Sequence, residues 1–323
     1  MLLGLHNYSL NAFGTAQTWI GDDRRPPWPR QMSTFEFLDR LVGWGLDGAQ
    51  IEDALLESLE QPYLREVGAA AAERGLFLEY DFSFDRAGWG VGVQHDLGEA
   101  LDTVTALGAD VLKISIDMER PRPLAASRFH PGVVAQLTDV AVTLRRYAPE
   151  AQARGVRLAV ENHTDLFADE LVWLLDEVGH PGVGACVDTM NAGPMLEDVM
   201  RAIEVIAPRA FTNHFRDERV TLGSTGYRLV GGPIGQGDLD VRRAYELIRD
   251  LSPCDRLIIE NAPDIPFDDM RTALTAAEAA VVESVRYCRD VLGVGREGGV
   301  AAGEGGEGGE TGRDRGVAGE AAG

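Results

Sequence analysis

Four apolar runs in this chain of 323 residues end in residue types that bind metals or move protons. Glu161 closes "RLAVE", Asp188 closes "VGACVD", His214 closes "AFTNH" and Glu260 closes "RLIIE". A carboxylate carried out of water at the end of an apolar strand loses its solvation and needs a partner. Three carboxylates in one low-dielectric pocket repel strongly, and a divalent cation is the simplest group that keeps all of them ionised. Oxygen-rich ligation with one imidazole suits Mn²⁺ best, with Mg²⁺ or Co²⁺ as the other choices; a structural zinc would favour thiolates. Taken singly, a strand-end carboxylate reads more readily as a helix N-cap or a solvated residue, Asp188 equally well as that or as a ligand, and His214 more readily as a core histidine. The metal reading rests on the four together.

Other residues are candidates for the chemistry around such an ion. His163 stands two positions after Glu161, and alternate residues of a strand share a side. It is therefore expected above the same site, either as a base that takes a proton from an acidified C–H or as a group that orients Glu161. Lys113 is the only lysine against 29 arginines, which marks a place where a compact ammonium matters. Facing the interior with Ser115 and Asp117, it would bind a substrate oxygen or stabilise an enediolate; the alternative is an ion pair at the strand's edge. Arg216 reads as a substrate-anion clamp or a salt bridge, with Asp217 in its surroundings, and Asn191 joins Lys113 and Arg216 as a substrate-binding candidate. Glu52, Glu79 and Asp81, near the ends of the second and third runs, are candidates for substrate hydroxyls.

The elements that must position these residues are legible as an alternation. Strand-like runs at 2–7, 48–53, 76–82, 110–117, 156–162, 183–189, 210–215 and 256–261 are separated by amphipathic stretches, eight pairs in all. "STFEFLDRLVGWG" opens with a capping box, Ser33 and Glu36, and glycines 45, 75, 108 and 155 stand where helices hand over to strands. The pattern predicts a single (β/α)₈ TIM barrel over residues 1–292, with an active face at the C-terminal ends of the strands. An open doubly wound sheet is the competitor, but "HNYSLNAFG" lacks the glycine spacing of its first turn. Residues 293–323 carry 13 glycines and no apolar period, and are expected to form a disordered Gly/Glu-rich tail.

Net charge is −22, of which the last 31 residues contribute −3. An acidic surface of this kind excludes a phosphate backbone as partner, so no nucleic acid is expected. No run is long and apolar enough for a spanning helix, and "MLLGLHNYSL" lacks the marks of a signal peptide, which predicts a cytoplasmic protein with no membrane partner. Cys186, Cys254 and Cys288 fit neither a disulfide framework nor a zinc ribbon.

The segments "VENHTD", "VGACVDTMNA", "TNHFRD", "PIGQGDLD" and "IIENAPD" together resemble the xylose isomerase-like barrels, a superfamily of sugar isomerases, epimerases, dehydratases and C-glycoside-cleaving lyases. The resemblance spans about residues 1–292. It implies one divalent ion held by Glu161, Asp188, His214 and Glu260. It also implies a sugar or keto-sugar substrate isomerised or epimerised by α-proton transfer through an enediolate, with Glu161 and Glu260 as the acid/base pair and His163 as a third candidate. A lyase or dehydratase, in which α-deprotonation is followed by β-elimination, uses the same residues and is the alternative. Ketose 3-epimerases carry a His three after the Asp ligand and a Glu six after the first Glu; Asn191 and Phe167 stand there in this chain. The resemblance leaves a homo-oligomer or a small partner subunit open.

Overall fold

The structure, a computed structural model, describes residues 1–16, 26–84 and 96–295. The tail from residue 296 and part of the segment after the first strand lie outside the described residues. Eight strands form one parallel sheet: β1 (Leu2–His6), β2 (Gly48–Glu52), β3 (Phe77–Ser83), β4 (Val111–Ser115), β5 (Arg157–Glu161), β6 (Val183–Asp188), β7 (Ala210–His214) and β10 (Arg256–Ile259). Their order is β10-β1-β2-β3-β4-β5-β6-β7. Phe215 bridges to Ile259, with its N–H donating to Ile258 O at 2.7 Å, and this joins β7 to β10 and rounds the sheet into a barrel. Each expected run contains one of these strands, except that β3 extends one residue past its run, to Ser83.

Helices α1 (Thr34–Gly43), α2 (Gln61–Glu73), α3 (Leu97–Ala106), α4 (Pro131–Ala153), α5 (Ala168–Val178), α6 (Val199–Ile206), α7 (Val241–Leu251) and α8 (Met270–Asp290) fill the intervals. A sheet covered by helices outside and side chains inside has no wet face, which is why its strands read as nearly unbroken apolar runs. The Ser33–Glu36 capping box is present, and glycines 45, 75, 108 and 155 all have φ between 68° and 74°, a left-handed conformation that ends a helix without the clash of a Cβ.

Alternation along the strands divides the interior into layers. Val111, Ala159 and Cys186 make a small buried apolar cluster, and Lys113, Glu161 and Asp188 each lie two residues further along the same side. On these three strands the inward polar groups therefore begin just above the apolar cluster, toward the C-terminal mouth. One pair of strands was not anticipated: β8 (Glu218–Gly223) and β9 (Gly226–Gly231) form an antiparallel hairpin in the connection after β7, outside the eight expected runs. The signal was there, since β-formers at Val220, Thr221, Tyr227 and Leu229 flank the turn "GSTG".

Candidate metal centre

The strand ends bring Glu161, Asp188, His214 and Glu260 together. One ligand atom from each lies within 4.8 Å of the others, and all four residues are buried. His214 is the hub: its Nδ1 lies 3.0 Å from Glu161 Oε1, 2.9 Å from Glu260 Oε2 and 3.8 Å from Asp188 Oδ2. Donors held about 2.1 Å from one ion are about 3.0 Å apart when adjacent and up to about 4.2 Å apart when opposite, and these separations fall in that range. Glu260 Oε2 is buried and makes no hydrogen bond despite its nearness to His214. An orphaned carboxylate oxygen aimed at three other donors fits a cation, and three carboxylates with one imidazole nitrogen fit a hard divalent one.

The surrounding side chains fix which atom each ligand offers. Lys113 Nζ takes Glu161 Oε2 at 2.7 Å and Ser115 Oγ donates to it at 3.1 Å, so Oε1 is the atom turned to the centre. The backbone N–H groups of Met190 and Asn191 donate to Asp188 Oδ1 at 2.7 and 2.8 Å, which leaves Oδ2. Asn191 Nδ2 donates to Glu161 Oε1 at 3.1 Å, while its Oδ1 accepts from Arg216 Nη1 at 3.0 Å. Arg216 also reaches Asp188 Oδ2 at 3.2 Å and Glu218 Oε1, at the start of β8, at 2.6 Å.

Charge balance among the protein groups is tight. Burial opposes ionisation of Glu161, but Lys113 and His214 outweigh it and hold the carboxyl well below its ordinary range. Glu260 is likewise lowered against burial by His214 and Arg216. Asp188 goes the other way, pushed up to about 6 by burial, which Arg216 offsets only in part. His214 is raised well above its ordinary value, because Cys186, Glu260 and Glu161 outweigh its burial.

A family model described as "Xylose isomerase-like TIM barrel" matches residues 38–291. The chain belongs to this family. A curated relative, the 3-oxo-isoapionate decarboxylase of Pectobacterium atrosepticum, is 27% identical over 160 residues, which cover 48% of this xylose isomerase-like chain and 58% of the relative. The chain thus spans little more than half the length of that relative. Among solved structures, D-psicose 3-epimerase from Clostridium cellulolyticum H10, in a crystal with D-tagatose, superposes with a TM-score of 0.62 at 14% identity, covering 90% of this chain and 99% of that one. A xylose isomerase-like barrel protein from Mycobacterium smegmatis, solved with magnesium, gives a TM-score of 0.59 at 15% identity, covering 88% and 97%. At such identities these two structures speak for the fold.

In this xylose isomerase-like barrel some candidate residues have other partners than the expected ones. His163, just past the end of β5, still acts electrostatically on Glu161, and its Nδ1 also sits 3.7 Å from Asp165 Oδ1 in a group with Asp117. Asp117 belongs to that group, and Ser115 lies beside Lys113, at 2.7 Å. Asp217 does not surround Arg216. It accepts the backbone N–H groups of Gly235, Gly237 and Leu239, and a Cβ at residue 237 would lie 2.1 Å from its Oδ1, which explains the glycine in "PIGQGDLD". Glu79 lies a layer too deep for a substrate, bound to Thr212, Gln50 and Arg256, and Glu52 is engaged with Asn7. Phe167 lies between the guanidinium groups of Arg120 and Arg128, 4.6 and 4.2 Å from its ring centroid.

Sequence reasoning passed over two residues here. His6, at the end of β1, places Nε2 2.9 Å from Asp81 Oδ2 and its ring 4.9 Å from that of His214. It ends an apolar run as the four ligands do, and that signal was available. Gln50 Oε1 lies 2.6 Å from His214 Nε2; a glutamine in mid-strand gave no such signal. Among the described residues no helix is long and apolar enough to cross a membrane.

Proposed function

We propose that this protein is a divalent-metal-dependent isomerase or epimerase of a sugar or keto-sugar, working by α-proton transfer. The observation that carries the reading is the pair Glu161 and Glu260, set 3.0 and 2.9 Å from one imidazole nitrogen at the barrel's mouth. Mn²⁺, Mg²⁺ or Co²⁺, bound by Glu161, Asp188, His214 and Glu260, would polarise a substrate carbonyl and acidify the neighbouring C–H. Glu260 is the proton carrier we favour: it is 9% exposed against 2% for Glu161, so its carboxylate is the one open to the mouth. Glu161, pinned through Oε2 by Lys113, is the second member of the pair. Lys113, Arg216 and Asn191 are assigned chiefly to holding Glu161 and Asp188 in place, with Lys113 also adding positive charge where negative charge develops.

A lyase acting on the same substrates is the second reading, and a specific observation favours it. Lys113 lies between Asp81 and Glu161 and keeps Glu161 strongly acidic, which makes it a poor partner in a two-base exchange. Loss of carbon dioxide from a 3-oxo acid needs no base, only stabilisation of the enolate left behind and a proton donor to end the reaction. The partial similarity to a decarboxylase accords with that chemistry.

Incubation of the metal-loaded protein in deuterium oxide with keto-sugars and 3-oxo sugar acids separates the two. Deuterium incorporated at carbon without loss of mass supports the isomerase, and release of carbon dioxide or water supports the lyase. Neither result with any substrate, at full metal occupancy, would sink both.

A further inference from the structure

Just past β5, on the same face of the barrel, a second group of ligand-type side chains lies apart from the four already described. Asp117, His163 and Asp165 each bring a ligand atom within 4.8 Å of the others. Asp117 comes from the connection after β4, and His163 and Asp165 from the connection after β5. The two connections are tied at this point, where Met118 N–H donates to Asp165 Oδ2 and Arg120 Nε donates to Asp165 O at 2.7 Å. Ser83 Oγ, at the end of β3, donates to Asp117 Oδ2.

Asp165 supplies the independent observation. The residue is only 7% exposed, and its second oxygen, Oδ1, is buried and makes no hydrogen bond. That oxygen faces His163 Nδ1 at 3.7 Å. The gap is too long for a hydrogen bond. It is a fitting separation for two donors that share one ion, since bonds of about 2.1 Å at an angle near 120° place their ends about 3.6 Å apart. Charge points the same way. At the first centre Lys113 and Arg216 sit directly on carboxylate oxygens, whereas among the described residues no lysine or arginine pairs with the carboxylate of Asp117 or Asp165. Two buried carboxylates without such a partner call for another source of positive charge.

We propose that Asp117, His163 and Asp165 form a second cation site, distinct from the first centre and suited to a divalent ion of the Mn²⁺, Co²⁺ or Zn²⁺ type. Two carboxylate oxygens and an imidazole nitrogen match those ions and are a poor set for Ca²⁺, which takes six to eight oxygens. Three protein donors leave at least one position on the ion for water or a substrate oxygen. The site does not depend on which reaction the first centre performs.

The test is the stoichiometry of binding. The protein is stripped with a chelator, dialysed against saturating Mn²⁺, and separately Zn²⁺, at near-neutral pH, and its metal content measured by elemental analysis. Two ions per chain are expected, falling to one in Asp165→Asn and one in His163→Ala, with electron paramagnetic resonance of the Mn²⁺ form losing one of two signals. Asp188→Ala should lose the other ion, so failure of the first centre and failure of the second read out separately. No ion in the unmodified protein with either metal overturns the proposal, and so does any ion content that is unchanged in both Asp165→Asn and His163→Ala; a single ion lost in those two variants but kept in Asp188→Ala upholds the second site and removes the first. Should Asp165→Asn fail to fold, the unmodified protein and His163→Ala still decide, with circular dichroism confirming that His163→Ala keeps the barrel.

Discussion

Gln50 Oε1 lies 2.6 Å from His214 Nε2, and this contact sets which nitrogen of the imidazole faces the three carboxylates. The amide cannot turn over, because Gln50 Nε2 donates to Glu79 Oε2 at 2.9 Å, and Glu79 is held in turn by Thr212 Oγ1 at 2.6 Å and Arg256 Nη1 at 3.1 Å. Oε1 is therefore the acceptor and His214 Nε2 carries a proton. In the neutral ring this leaves Nδ1 bare as a donor to a cation. A buried column from Arg256, at the start of β10, thus reaches up through the barrel to orient one ligand at its mouth.

Gln50→Leu removes the acceptor and keeps the volume roughly constant. Metal affinity, measured by competition with a chelator, is expected to fall roughly 10- to 100-fold, the usual effect of losing a group that orients a histidine ligand. An unchanged affinity would free Gln50 of any role in orienting His214.

The ligands themselves should act more drastically. Asp188→Ala and His214→Ala are each expected to abolish ion binding at the first centre while leaving the circular dichroism of the barrel unchanged. Elemental analysis that finds metal content unaltered in both variants would remove the site.

The four strand-end residues were legible because a polar residue after an apolar run is anomalous in itself, and four such anomalies on consecutive strands define a place. The eight strands were legible for the same reason, from their unbroken apolar character. What escaped was set by geometry that a one-dimensional pattern does not carry. His163 acts electrostatically on Glu161, but its membership of a group with Asp117 and Asp165 is not revealed by alternation in a strand that stops at Glu161. Gln50 and Glu79 are polar residues inside strands, one layer below the mouth, and their meaning depends on the stagger of neighbouring strands. Asp217 looked like a companion of Arg216 because it is adjacent in sequence. It serves instead as the acceptor around which the "PIGQGDLD" turn folds.

Proton release should accompany metal binding. Asp188 is pushed up to about 6 and His214 holds its proton well above the ordinary imidazole value. Both must give up protons to serve as ligands, so affinity weakens as pH falls. At about pH 5.5 it should be at least about tenfold weaker than at about pH 7.5. The stability contribution has the matching sign. Relative to an ordinary aspartate at 3.8, the raised Asp188 favours the fold at low pH, and that contribution is lost as pH rises through about 6. Thermal stabilisation by the ion should therefore grow across the same interval. An affinity flat over this range would show that neither group releases a proton.

The tail offers a simpler expectation. Leu292 and Val294 are buried, and Gly295 N–H donates to Met1 O at 3.1 Å, so the packed body extends to residue 295. Residues 296–323 contain no apolar period. Deleting them is expected to leave melting temperature and metal content unaltered, and a drop of several degrees would show that they pack on the barrel.

Lys113 allows the sharpest test of how the centre balances charge. Its Nζ lies 2.7 Å from Glu161 Oε2, 3.0 Å from Asp81 Oδ1 and 2.7 Å from Ser115 Oγ. Burial alone would lower the ammonium's pKa, but Asp81 and Glu161 outweigh burial and raise it well above the ordinary lysine value. Lys113→Met fills much the same space and leaves both carboxylates without that cation. Breaking a buried pair in this way costs about 3–5 kcal/mol, so the metal-free variant should melt well below the unmodified protein. A divalent ion ligated by Glu161 supplies part of the missing charge. It should therefore raise the melting temperature of Lys113→Met by more than it raises that of the unmodified protein. Equal stabilisation of the two by saturating metal would mean that the ammonium and the ion do not share Glu161, and would return Lys113 to a role toward substrate alone.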